Sequence, residues 1–299
     1  MQSTQQIRRQ IQSTKNTSQI TKAMEMVAAS KMKKSQERAL MARPYAMAAL
    51  GILESVSESV EPKKHILLRK REVKNLCLLV VTSDKGLCGG LNSNILKEAK
   101  KIIKKEKDKN ITIIAIGKKT ENYFKNKNEV CAVFNAIGDT IELRETLPIS
   151  KIIIEDFTNR KYDKVIAIYT NFISTIKQEV KVKKLLPITR RSIEETIEEI
   201  EDKQEKEETN SNNIEYKFEP SAEKVLCDLL PNLIETQVYH IILESNASEH
   251  SARMVAMKNA TDSALEILDD LKLSYNYIRQ QKITQEISEI SAGVAAQEG

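Results

Sequence analysis

"NLCLLVVTSDKGLCGGLNSNILKEAKKII", residues 75–103, decides the fold of the middle of this chain. A short apolar run, "NLCLLVV", is followed by the one glycine-clustered stretch, with Gly86, Gly89 and Gly90, and then by a helical pattern. Strand, glycine turn, helix is the layout of a phosphate-binding loop, in which backbone N–H groups and a helix N-terminus face the anion. The details argue against one. A P-loop needs Lys and then Ser or Thr after its last glycine, and here Gly90 is followed by Leu91 and Asn92. The dinucleotide spacing G-x-G-x-x-G is also absent. The residues predict a tight βα turn whose glycines supply positive φ, and no cofactor site.

Outward from that turn, residues 70 to 190 alternate short β-branched runs with amphipathic ones. "NLCLLVVTS", "NITIIAIG" (110–117) and "KVIAIYTNF" (164–172) read as buried strands. "LNSNILKEAKKIIKKE" (91–106) and "LPISKIIIEDFTNRKY" (147–162) read as the helices between them, and "TIKQEVKVKKLLPI" (175–188) adds a final strand. Strands alternating with helices give a parallel α/β sheet. Residues 192 to 214 are acidic and poor in large apolar groups, which predicts a linker or exposed loop.

Both ends read as helix. There is no Gly between Met1 and Gly51, and none between Gly138 and Gly293. Residues 3 to 59 form one predicted helix of ~85 Å at ~1.5 Å per residue. Its stripe is Met41, Tyr45, Ala48, Ile52 and Val56, thinning toward the start into Ile7, Ile11, Thr14, Ser18, Met24 and Val27. After Ser221 the only proline is Pro231, expected to break or bend the last helix near its start. Ala264, Leu268, Leu271, Tyr275 and Ile278 alternate four and three, a heptad seam. Ile283, Ile287, Ile290 and Val294 continue a neighbouring stripe. Two long helices with narrow stripes at opposite ends of one chain predict an antiparallel coiled coil, since neither persists without packing.

Composition agrees and excludes several functions. The chain is 30% charged and 4% aromatic, with no Trp, eight Gly and six Pro. Such a mixture favours long helices over deep cores. Residues 1 to 45 carry nine Lys or Arg against Glu25 and Glu37, but almost no aromatics for base stacking, so the basic surface is read as solvated or protein-facing rather than bound to nucleic acid or lipid. Cys77, Cys88, Cys131 and Cys227 are widely separated, which fits reduced thiols in a cytosolic setting and no metal site. No apolar run approaches the ~18 residues needed to span a bilayer. His65, His240 and His250 are isolated; Glu249, His250 and Arg253 read as an exposed charged face, and Glu286 with Glu289 as surface. No catalytic, cofactor-binding or metal-ligating residue is assigned.

Several long blocks together resemble the gamma subunit family of F-type ATP synthases. They are "IRRQIQSTKNTSQITKAMEMVAASKMKKSQ" (7–36), "RPYA" (43–46), "TSDKGLCGGLN" (82–92), "ETQVYHIILESNASEHSARMVAMKNATDSA" (235–264) and "YNYIRQQKITQEISEISAG" (275–293). The resemblance implies that the terminal helices pair as an axle, with a Rossmann-like α/β domain inserted between them. The expected boundaries are 1–65 for the first axle helix, 66–191 for that domain, 192–215 for the acidic linker and 216–299 for the second axle helix. Implied partners are a head of three alpha and three beta subunits, the epsilon subunit and the ring of membrane c subunits. Membrane association comes through the complex only. The implied function is rotary coupling of ion flow to ATP synthesis or hydrolysis, with the chemistry in beta.

The same resemblance places Met24, Arg253, Gln280, Thr284 and Glu286 at positions that touch the head or tie the two axle helices together. Gly86, Gly89 and Gly90 fall in the turn of the foot domain. Because the family motif begins near Ile7, the acid-poor start reads as mature helix rather than a presequence, which implies the cytoplasmic face of a bacterial plasma membrane. The chain departs from the pattern at Gly293-Val294, where the family often has Gly-Ala, and in its acidic segment 192 to 214, to which no function is assigned. The inserted cysteine pair of chloroplast members is not visible, so thiol regulation is not expected. Two readings from other classes remain: a nucleotide-dependent enzyme on the central domain, and a static coiled-coil scaffold.

Overall fold

The structure is a computed structural model that describes residues 4–59, 65–126, 129–137, 141–189, 219 and 221–298; the acidic segment 192–214 lies outside the described residues. In chain order the elements are α1 (Thr4–Ser59), β1 (Asn75–Val81), α2 (Leu91–Lys105), β2 (Asn110–Ile116), α3 (Lys118–Phe124), β3 (Glu129–Phe134), α4 (Leu143–Thr158), β4 (Lys164–Phe172), β5 (Gln178–Leu186) and α5 (Ala222–Glu298). They fall into two compact units. One gathers the chain ends, Met1–Ala29 with Arg253–Gly299; the other is Ser30–Ala252.

The second unit is built on a five-stranded sheet of order β3-β2-β1-β4-β5. The first four strands are parallel and β5 returns antiparallel along β4. This is the Rossmann-like order, with β1 in the middle and the chain winding first to one side and then to the other. Because side chains alternate across a strand, β1 feeds two cores. Cys77, Leu79 and Val81 pack with Ile149, Ile153 and Phe157 of α4 and with Leu230, Ile234 and Val238 of α5. Leu76, Leu78 and Val80 pack with Leu91, Ile95 and Ala99 of α2 and Phe124 of α3.

Several expectations are corrected. The strand β3 and helix α3 were not anticipated. Helix α3 has seven residues, too few for a periodic signal, and β3 carries a register shift that passes over Cys131 between Val130 and Ala132. Helix α4 starts four residues earlier than Leu147, where Glu142 and Glu145 form a reciprocal capping box. Pro231 does not break α5, which runs through it. Its neighbours Leu230, Leu233 and Ile234 are buried, and their packing offsets the lost backbone bond.

The glycine turn is also built differently. Only Gly89 has positive φ, at 58°, and the second left-handed residue is Leu87, at 64°. Gly86 and Gly90 do not need to be glycine on that ground. The glycine that the sheet requires is Gly117, just after β2. Its φ is 87°, and a Cβ there would lie 2.2 Å from the Thr82 carbonyl oxygen.

In the first unit, buried and half-buried positions of α1 include Ile7, Ile11, Thr14, Ser18, Thr21, Met24 and Ala28. On α5 they include Met257, Thr261, Ala264 and Leu268, then Leu271, Tyr275 and Ile278. The heptad seam is therefore where the spacing put it. Val27 and Met41 are not on it; they are 54% and 79% exposed. The side chains of 45, 48, 52 and 56 lie outside the described residues.

One cross-helix contact sets the register: the hydroxyls of Thr21 and Thr261 are 2.7 Å apart. Thr21 lies seventeen residues after Thr4, the first residue of α1. Burial on α5 ends at Ile278, which lies seventeen residues after Thr261. The match requires the helices to run antiparallel, each position toward the N-terminus of α1 meeting one farther along α5. Past Ile278, Ile283, Ile287, Ile290 and Val294 are all about half exposed or more.

Two outcomes are expected. Gly117→Ala forces an L-residue into a strained backbone region, costing about 1–3 kcal/mol for the conformation alone, and drives a methyl into the Thr82 carbonyl. The denaturant midpoint should fall accordingly, while Gly86→Ala, with open space around it, should leave it nearly unchanged. On α5, Leu268→Asp places a carboxylate in the seam without a partner and should lower the melting temperature of the helix pair. Ile283→Asp, on the same helix beyond the pair, should not.

Candidate functional site

At the C-terminal ends of β1 and β2, where this fold binds phosphates, several donors are occupied by side chains of the chain itself. The Asp84 carboxylate accepts a hydrogen bond from the Lys118 N–H at 2.9 Å and another from the Ala136 N–H at 2.8 Å. The Asn92 amide donates to the Ser83 hydroxyl at 2.7 Å and its oxygen accepts from the Ser83 N–H at 3.0 Å. Thr82 and Thr120 hydroxyls meet at 2.9 Å. The anion that this edge holds is Asp84, and a phosphate in its place would face a like charge.

The histidines and carboxylates set aside by sequence need one revision. Glu249, His250 and Arg253 do not form an exposed face. His250 is 3% and Arg253 8% exposed, and all three have interaction partners. Sequence reasoning saw charged residue types and no neighbours; the helix is covered on several sides at this level, as the full burial of Ser248 and Ser251 shows. A guanidinium this deeply placed must be paired to be tolerated. Among the described residues no cluster of His, Cys, Asp or Glu could hold a metal ion.

The remaining candidates lie on the terminal helices. Met24 is half-buried, on the α1 stripe between Thr21 and Ala28. Gln280, Thr284 and Glu286 are exposed, and their polar contacts stay within α5. The Thr284 hydroxyl donates to the Gln280 carbonyl at 3.0 Å, and Glu286 lies 3.7 Å from Lys282. All three sit past Ile278, the last half-buried position described on α5.

Sequence reasoning missed how much apolar surface the pair leaves outward. Ile20 and Met26 on α1 are each 60% exposed, and Leu273 and Tyr277 on α5 are 69% and 62% exposed, off the seam and on several sides. The signal was present as apolar residues out of heptad phase. Together with the stripe beyond Ile278 they form more exposed apolar surface than a helix pair alone requires. No described helix is long and apolar enough to cross a membrane.

Comparison with known proteins agrees with this geometry. A family model described as ATP synthase matches residues 3–297. The ATP synthase gamma chain of Roseiflexus castenholzii is 42% identical over 301 residues, covering 99% of each chain. That of Pelotomaculum thermopropionicum is 40% identical over 299 residues, covering 100% of both. Among solved structures, a chain of the central stalk and c-ring of the Tetrahymena thermophila mitochondrial ATP synthase is 27% identical with a TM-score of 0.59, covering 81% of this chain and 99% of its own length. A chain of the Euglena gracilis mitochondrial ATP synthase, 18% identical with a TM-score of 0.65 over 98% of this chain and 94% of its own, shares the fold. With a family model spanning all but two residues at each end, and relatives at 40% and 42% identity over nearly their whole length, the chain belongs to the ATP synthase gamma chain family.

Proposed function

We propose that this chain is the central-stalk rotor subunit of an ATP synthase, not catalytic by itself. It turns with the membrane c-ring and carries the rotation into the head of alpha and beta subunits, with epsilon as a further partner at the sheet domain. The observation that carries the reading is the apolar outer surface of the helix pair, continuing along α5 after α1 stops. A shaft that must turn inside a protein sleeve is best served by apolar contacts, which have no preferred direction and are remade at every angle. A pair of helices that becomes a single helix has no three-fold symmetry. It presents a different face to each of three equivalent beta subunits, and such differential contact can bias one site at a time between conformations.

In this reading Met24, Arg253, Gln280, Thr284 and Glu286 lie along the stretch that the head surrounds, and the cytoplasmic face of a bacterial plasma membrane is the setting. Coupling resides in the surface of the pair and in its rigidity. Ion choice resides in the c-ring.

The test separates a rotor from a scaffold. Cys77, Cys88, Cys131 and Cys227 are first replaced by Ser or Ala, then Lys258→Cys, an exposed position on α5, is paired with a cysteine on the facing beta surface. A disulfide forms where Cα atoms come within ~7 Å. Steady-state ATP hydrolysis should fall in proportion to the cross-linked fraction and return on reduction. Full activity in a completely cross-linked sample means that this helix does not turn. In the same assembled complex Leu268→Asp should retain part of the hydrolysis but lose a larger share of ATP-driven ion pumping, read as acidification or ion uptake of vesicles at equal assembly.

A further inference from the structure

Two groups of polar contacts join α5 to the sheet domain. At the first, the carbonyl oxygen of Ile141, just ahead of α4, accepts two hydrogen bonds. Arg38 of α1 donates one from Nη1 at 2.9 Å, and the Tyr239 hydroxyl of α5 donates the other at 3.3 Å. Ile141 is itself fully buried in the core that α4 and α5 share. At the second, α5 passes the turn between β4 and β5. The Ser251 hydroxyl donates to the Thr175 carbonyl at 2.7 Å and accepts from the Gln178 amide at 3.2 Å. The same amide donates to the Ser174 and Thr175 carbonyls. One turn earlier the Ser248 hydroxyl donates to the Thr170 carbonyl at 3.1 Å. Ser248 and Ser251 are both fully buried.

We propose that these two sets of hydrogen bonds form a clamp that fixes the rotational phase of α5 against the sheet domain, so that torque passes between them without slip. The proposal rests on the rotor reading above. Its physical ground is directionality. Apolar packing resists separation but yields to sliding and turning, whereas a hydrogen bond weakens steeply once its angle departs from linear. A single fixed point would leave α5 free to pivot.

The two points are twelve residues apart, from Tyr239 to Ser251, about 18 Å along the axis at ~1.5 Å per residue. Twelve residues are about three and a third turns, so the points also sit about a third of a turn apart around the helix. Contacts at different heights and on different sides block both pivoting and sliding. Serine suits the second point because its small side chain lets the helix backbone come close to the β4–β5 turn. The first point serves both terminal helices at once, since Arg38 and Tyr239 share one acceptor.

The test uses the assembled complex with the head fixed to a surface through beta. Native cysteines are replaced, and a gold rod is attached through Lys101→Cys, a position of the sheet domain whose side chain is 72% exposed. The wild-type rod should turn on ATP addition, and the spread of its angle during each pause measures the stiffness between head and sheet domain. Tyr239→Phe combined with Gln178→Met and Ser251→Ala weakens both points with little change in volume, leaving the Arg38–Ile141 and Ser248–Thr170 bonds in place. The spread should widen at least about twofold, since fewer directional contacts are left to resist turning. Tyr239→Phe and Gln178→Met alone should each widen it by less, and these milder variants decide the matter if the triple variant does not assemble. A wild-type rod that does not turn defeats the rotor reading, and the clamp with it. A turning rod whose spread is unchanged in the variants overturns the clamp alone, even if their melting temperature falls, because a lowered melting temperature is all that a structural role predicts.

Discussion

The two terminal helices bury their stripes against each other by running antiparallel. The Thr21–Thr261 contact sets that register. From it follows where α5 is half of a pair and where it continues alone past Ile278. The sheet domain is a long insertion between the two halves of this pair, and it holds both helices again at Arg38 and Tyr239.

Contact chemistry divides along the chain. Where the terminal helices carry their outward surface, it is apolar: Ile20, Met26, Leu273 and Tyr277. Where α5 meets the sheet domain, apolar packing is supplemented by hydroxyl, amide and guanidinium groups aimed at carbonyl oxygens. The glycine turn belongs to the second kind. Asp84 bridges the start of α3 and the segment after β3, so a loop with the outline of an anion site holds three elements together.

Much of this was legible in the sequence because it rests on periodicity. The strands at 75–81, 110–116 and 164–172 and the seam from Ala264 to Ile278 are spacing patterns, and the structure has them where the spacing put them. What was not legible depends on neighbours distant in sequence. Gly117 is required because Thr82 passes within touching distance, which no local pattern records. His250 and Arg253 looked exposed because their residue types usually are, but the elements that cover them come from elsewhere in the chain. Met41 and Val27 show the opposite error: both are apolar and at helical spacing, yet they face outward. Spacing identifies a stripe without saying which of two faces the partner takes. The family resemblance identified Gln280, Thr284 and Glu286 together, and only the burial pattern showed that all three lie past Ile278, the last half-buried position described on α5.

The lone end of α5 has a consequence for how such a subunit is made. Ile283, Ile287, Ile290 and Val294 form an apolar ridge that no described residue of the chain covers. A copy synthesised ahead of its partners therefore displays a sticky helix that invites self-association, holding by chaperones or trimming by proteases. Supply has to be matched to that of the subunits that enclose the ridge, and surplus copies are the ones a cell must clear. The feature that equips the helix for work inside an assembly makes the unassembled chain a short-lived species.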